Sequence, residues 1–94
     1  MTVNNTLQDR QTKYGDYADV ATMTSELMSI VKFAPNKDKL HTVHEQALHM
    51  IFVKISRMLC GDCMNEDNAH DIAGYATLLE EYIRGRNERI QNRK

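Results

Sequence analysis

Tryptophan is absent, proline occurs once and phenylalanine twice in this chain of 94 residues. With four tyrosines besides, aromatic residues are few. The six methionines point instead to an adaptable core or interface. No apolar run approaches the roughly 20 residues that a membrane-crossing helix needs. The N-terminal stretch MTVNNTLQDR lacks the basic segment and apolar run of a secretory leader, so a cytoplasmic location is expected. Nowhere do apolar and polar residues alternate as a half-buried strand requires, which leaves an all-α fold. Net charge is −1, so no global field recommends nucleic acid as a partner. The two cysteines form a lone C-x-x-C, Cys60 to Cys63, without the βαβ context of a redox site or the further ligands of a zinc site.

The chain predicts one domain, 1–94, with a loose N-terminus over 1–6 and a basic C-terminal tail over 85–94. The segment RGRNERIQNRK holds five cations against one acid, Glu88. That suits the negative end of a helix. Leu7 to Lys13 predicts a short helical piece closed by Gly15, with Asp16 capping the next helix. From Tyr17 to about Phe33, Val20, Met23, Leu27, Ile30 and Val31 follow helical spacing. Pro35 ends that helix, and Asp38 is the expected N-cap of the next.

That third helix is predicted from Lys39 to about Leu59. Leu40, Val43, Ala47, Met50, Ile51 and Met58 fall within an arc of roughly 100°. Lys54 falls near the centre of the arc and Arg57 at its border. Either Lys54 snorkels past the packed region, or it is partly buried against a carboxylate. Gly61 ends the helix; Asn65, Glu66 and Asp67 open the last one, Asn65 to Ile83. Its stripe is Ala69, Ile72, Ala76, Leu79 and Ile83, widened by Tyr75, Leu78 and Tyr82. Asp67 and Asp71, one turn apart, lie inside or near the widened border. Mid-helix Gly74 suggests that another helix approaches closely. The short turn predicts a C-terminal antiparallel hairpin within a bundle of three or four helices, completed by a homodimer or higher oligomer.

HEQALH, His44 to His49, places its histidines about 140° apart, which rules out a shared metal of the i, i+4 kind. The remaining constellation is Glu45, Lys54, Arg57, Asp67, Asp71 and Tyr75. It is either a structural ion pair with helix capping or a site. In the second case Asp67 and Asp71 hold Mg²⁺ and Lys54 and Arg57 face a phosphate. Glu45 lies nearly opposite Lys54 on the wheel and can join only from a neighbouring subunit or a curved surface.

The motifs KYGDY, KISR and DNAHDIAGY resemble a family of small phage-encoded helical proteins of unknown function, over about residues 10–83. More distantly, the last two helices are similar to the all-α nucleoside triphosphate pyrophosphohydrolases of the MazG type. That likeness implies nucleotide binding in the host cell cytoplasm, with Mg²⁺ on Asp67, Asp71 and Glu45. It makes Lys54, Arg57, Tyr75, Lys13 and Tyr14 the substrate-binding candidates. Those enzymes carry E-x-x-E on the earlier helix and E-x-x-D on the later one. Here the earlier helix offers Glu45 alone and the later acids are four apart. The ligand set is incomplete unless Asp16, Asp19 or Glu45 of a second chain supplies a carboxylate. The expectation is therefore a non-enzymatic helical module that binds a host or phage protein, with nucleotide handling as the alternative.

Overall fold

The structure, a computed structural model, describes residues 3–92. Four α-helices follow one another: α1 (Val3–Tyr14), α2 (Tyr17–Val31), α3 (Thr42–Cys60) and α4 (Glu66–Asn92). A single 3-10 turn, Lys37–Lys39, lies between α2 and α3. No strand occurs among the described residues, as the absence of alternation required.

Element ends differ from the sequence reading in four places. The first helix opens at Val3 rather than Leu7, so helix replaces the expected loose segment over 3–6. The last helix runs to Asn92, nine residues past Ile83, and carries Arg84, Arg86 and Arg89 as helical residues. Arg93 and Lys94 lie outside the described residues. Asp38 does not cap α3, because the 3-10 turn takes up Lys37–Lys39 and the N-cap is His41. There the His41 N–H donates to Nδ1 of His44, three residues on, at 3.2 Å. Asp16 does stand at the N-cap of α2, but its carboxylate accepts from Gln11 Nε2 at 3.1 Å instead of capping the helix.

The third helix is the axis of the molecule. It packs against α4, α2 and α1, and α1 and α4 meet the rest mainly through it. Lys54 lies on the face of α3 that packs against α4, not on the exposed face that carries Glu45. That is why Lys54 is buried. Contacts tie α3 to α4 at two levels. Lys54 meets Asp71 near the connecting turn, and His41 meets Tyr82 near the opposite end of α3, where ring centroids lie 6.2 Å apart. Beyond Tyr82, α4 has run past the first residue of α3.

Few apolar side chains are enclosed. Among the described residues Ala47 is the one buried hydrophobic side chain, whereas Thr24, Lys54, Ser56 and Asn68 are buried polar groups. Leu7, Ile30, Leu59 and Leu78 are each more than half exposed. The radius of gyration is 16.7 Å, against about 12.4 Å for a compact chain of this length. The longest dimension is 60 Å.

The close backbone approach is not at Gly74, where a Cβ would meet nothing within 4 Å. It lies between the two turns. Gly15 has φ +87°, and a Cβ there would sit 2.5 Å from Cys60 Cβ. A Cβ on Gly61 would sit 2.5 Å from the Gly15 nitrogen and 2.7 Å from the Lys13 carbonyl oxygen. Next to this contact the Asp62 N–H donates to the Lys13 carbonyl at 3.2 Å. Both glycines are thus needed, Gly15 for its conformation as well as its size. Alanine at Gly15 or Gly61 is expected to cost about 2–3 kcal/mol by overpacking and backbone strain. Alanine at Gly74, which is open, is expected to gain up to about 1 kcal/mol of helix propensity. Urea denaturation of the three variants checks this; equal midpoints would refute the contact.

Candidate functional site

The residues singled out by the sequence fall into two separate places. The first is the α3–α4 interface. Lys54 Nζ lies 3.0 Å from Asp71 Oδ2, with the lysine side chain 11% exposed and the aspartate 40% exposed. Of the two sequence readings for Lys54, the buried and paired one is the structure's. Asp67 does not join the pair. It is exposed, and its backbone N–H donates to Asn65 Oδ1 at 3.1 Å. That is an N-cap bond from the residue just before α4, as expected of Asn65. Tyr75, one turn past Asp71, is half-buried.

The expected Mg²⁺ ligands do not fit the ion within one chain. Glu45 is exposed and nine residues from Lys54, about 14 Å along α3 and on the opposite side of the helix. Asp71 is already engaged by an ammonium. Among the described residues no group of three or more His, Cys, Asp or Glu side chains converges as a metal requires.

The second place is a cleft of about 640 Å³ between α1, α2 and the last turns of α3. It receives Tyr14 and Arg57 of the sequence candidates, but neither Lys54 nor Lys13. Lys13 is exposed and serves through its carbonyl, described above. Arg57 lies over the Tyr14 ring, 5.1 Å from the centroid, and Arg10 lies over the same ring at 5.3 Å. Each contact is worth roughly 0.5–1 kcal/mol at such exposure. The floor is apolar, from Val20, Met28 and Val53, and His49 adds an imidazole. Among the described residues no carboxylate lines the cleft. Among the described residues neither guanidinium is paired with an acid.

A buried polar seam stands behind this floor. Thr24 Oγ1 donates to Ser56 Oγ at 3.0 Å, and Ser56 Oγ donates to the Phe52 carbonyl at 2.8 Å. Ser56 is wholly buried, and the seam ties α2 to α3 beneath the cleft. Sequence reasoning passed over Arg10, Thr24 and Ser56. Arg10 stands one turn before Tyr14, so the i, i+4 spacing was a usable signal. Ser56 lies two residues from Lys54, off the stripe that faces α4, and only the second packed face of α3 explains it. Asn68 was also missed; it is buried, with Nδ2 unpartnered in the structure.

The chain belongs to the family described as a domain of unknown function, DUF6378, whose model matches residues 2–83. That span holds the cleft and the Lys54–Asp71 pair. No curated protein and no solved structure matches the chain.

The ion pair makes an asymmetric prediction. Asp71→Ala leaves the Lys54 ammonium enclosed without a partner and is expected to cost about 1–3 kcal/mol, below the roughly 3–5 kcal/mol of a fully buried pair because Asp71 is partly solvated. Lys54→Met keeps the volume, removes the charge and is expected to be near neutral. Urea midpoints for the two variants decide it, and equal losses would contradict the buried-pair reading.

Proposed function

We propose that this member of the DUF6378 family is a non-enzymatic helical binding module, and that its recognition site is the cleft formed by α1, α2 and α3. One observation carries the reading: two guanidiniums share one tyrosine ring in an apolar-floored cleft that no carboxylate lines. Like charges held near low-dielectric walls repel one another, and an incoming anion relieves that repulsion. Planar guanidinium forks favour carboxylate and phosphate. The apolar floor favours a partner whose acidic group neighbours an aliphatic or aromatic anchor. Leu7 and Tyr17, at the rim, are 54% and 85% exposed, which extends the apolar surface beyond the cleft.

An acidic, apolar segment of another protein meets those demands. The likeness of KYGDY, KISR and DNAHDIAGY to small phage-encoded proteins supports a host or phage protein as its source, and an accessory role in a phage or prophage. A nucleotide is the second reading. It is favoured by the presence of Tyr14 and Arg57 in the cleft, with phosphates on the guanidiniums and the base on the floor. It is not supported by the carboxylates, since Asp71 is held by Lys54. Self-association belongs to the same proposal: a chain with one buried hydrophobic side chain among its described residues gains stability by covering more of its apolar surface.

Selection of peptides from a random library against the wild-type protein tests the main reading. Enriched peptides are expected to carry Asp or Glu within a few residues of a Leu, Ile or Phe. Arg57→Gln and Arg10→Gln are each expected to weaken them about tenfold, the loss of one charge-assisted contact. Titration of nucleoside triphosphates, followed by thermal stability, tests the second reading by mass action. Peptides without acids, or binding indifferent to both arginines, would remove the cleft from the proposal.

A further inference from the structure

We infer that a second copy of the chain docks on α4, antiparallel to it and centred near Ile83. The inference deepens the self-association part of the proposal above and rests on it; it is independent of what the cleft binds. The exposed area gives the first argument. The chain presents 7269 Å² to solvent. A folded monomer of 10.9 kDa is expected to present roughly 5,600 Å². The surplus of roughly 1,700 Å² lies within what each partner of an obligate homodimer buries, whose interfaces run from about 2,000 to 5,000 Å² in total.

The pattern along α4 says where that surplus can be covered. Ala76, Ile83 and Ile90 are spaced by seven, the repeat of a helix–helix seam. Ile83 and Ile90 are 38% and 48% exposed, although Ile83 belongs to the stripe expected to face inward. Ala76, Leu79 and Ile83 line a groove of about 570 Å³ together with Ile51 of α3. Its wall continues through Asn87 and Gln91, well past the first residue of α3. Within the chain nothing in α3 accompanies this end of the helix, so a helix from another molecule is what the groove can accept.

A second copy is the occupant that the charges favour. Glu80 and Arg84 edge the same groove and pair with each other at 3.4 Å, each more than half exposed. An antiparallel copy centred on Ile83 brings its Arg84 to within two residues, roughly 3 Å along the axis, of the level of this Glu80, and its Glu80 likewise to this Arg84. It also sets Ala76 opposite the copy's Ile90, a small residue against a large one. Such a contact is self-complementary, as twofold symmetry requires. The open Gly74, with nothing near its missing Cβ, stands two residues before Ala76.

Light scattering on the full-length protein at micromolar concentration is expected to return twice the chain mass. Ile83→Asp and Ile90→Asp are each expected to return the monomer with helix content preserved by circular dichroism. Because Ile83→Asp could unfold the chain, a second measurement locates the contact. In a Cys60→Ala, Cys63→Ser background, Ile83→Cys is expected to cross-link to its counterpart under mild oxidation. Glu81→Cys, on the far side of the helix, is expected not to. A wild-type monomer would refute self-association itself. A dimer that survives both aspartates, or that cross-links equally through Glu81→Cys, would refute this face and leave self-association standing.

Discussion

Everything else in the architecture is set by the place where two turns touch backbone to backbone. Gly15 and Gly61 approach so closely that neither position has room for a Cβ. The contact pins the α1–α2 corner to the turn that ends α3. It fixes Tyr14 within reach of Arg57, and so creates the cleft. It also fixes the C-terminal end of α3, from which the short connection to α4 starts. A side chain at either glycine would push the corner outward and separate the ring from the guanidinium. The motif KYGDY is therefore explained in large part by geometry: its glycine closes the turn while its first tyrosine faces the cleft.

The Lys54–Asp71 pair follows from the central position of α3. A lysine in the apolar stripe of a two-helix pair could turn outward along the edge. With α1, α2 and α4 all leaning on α3, the ammonium needs a carboxylate inside the protein, because an unpaired buried charge is too costly to keep. Asp71 is the acid on α4 at the right level, and its partial exposure lowers the desolvation cost of the pair. The pair also binds Asp71 to a structural task, which separates the carboxylates of α4 from the cleft. Acid and guanidinium thus occupy different interfaces, and the chemistry of the two places is distinct.

The sequence carried the helical class and bounded the helices at three or four, because both depend on local periodicity and on strong breaks such as Pro35. For Lys54 it narrowed the outcome to two, an outward snorkel or a buried pair, and the structure holds the second. What it did not carry depends on neighbours that come from far away in the chain. Gly74 looked like a place of close approach, yet Gly15 and Gly61 are the ones in contact. A wheel shows which way a residue points but not whether anything stands there. Likewise Lys54 and Arg57, three residues apart, seemed to share one site. The long arginine side chain reaches α1 while the lysine reaches α4. Ser56 was invisible for a related reason, because the reading allowed α3 one packed face and it has at least two.

The polar interior and the apolar exterior are two aspects of one condition. A bundle that buries Thr24, Ser56, Asn68 and Lys54 fills much of its interior with groups that contribute little net stability even when hydrogen-bonded. The apolar residues that could offset this lie outside, on α1, on the rim of the cleft and along α4. Their contribution is realised only when something covers them. The rim surface lies beside Arg10 and Arg57, neither paired with an acid among the described residues, and on the proposed reading a foreign anionic partner suits it. The α4 surface lies beside an acid and a base four residues apart, which is the pattern a copy of itself can satisfy. On the proposed readings, charge arrangement, more than apolar area, is what distinguishes the partners of the two surfaces.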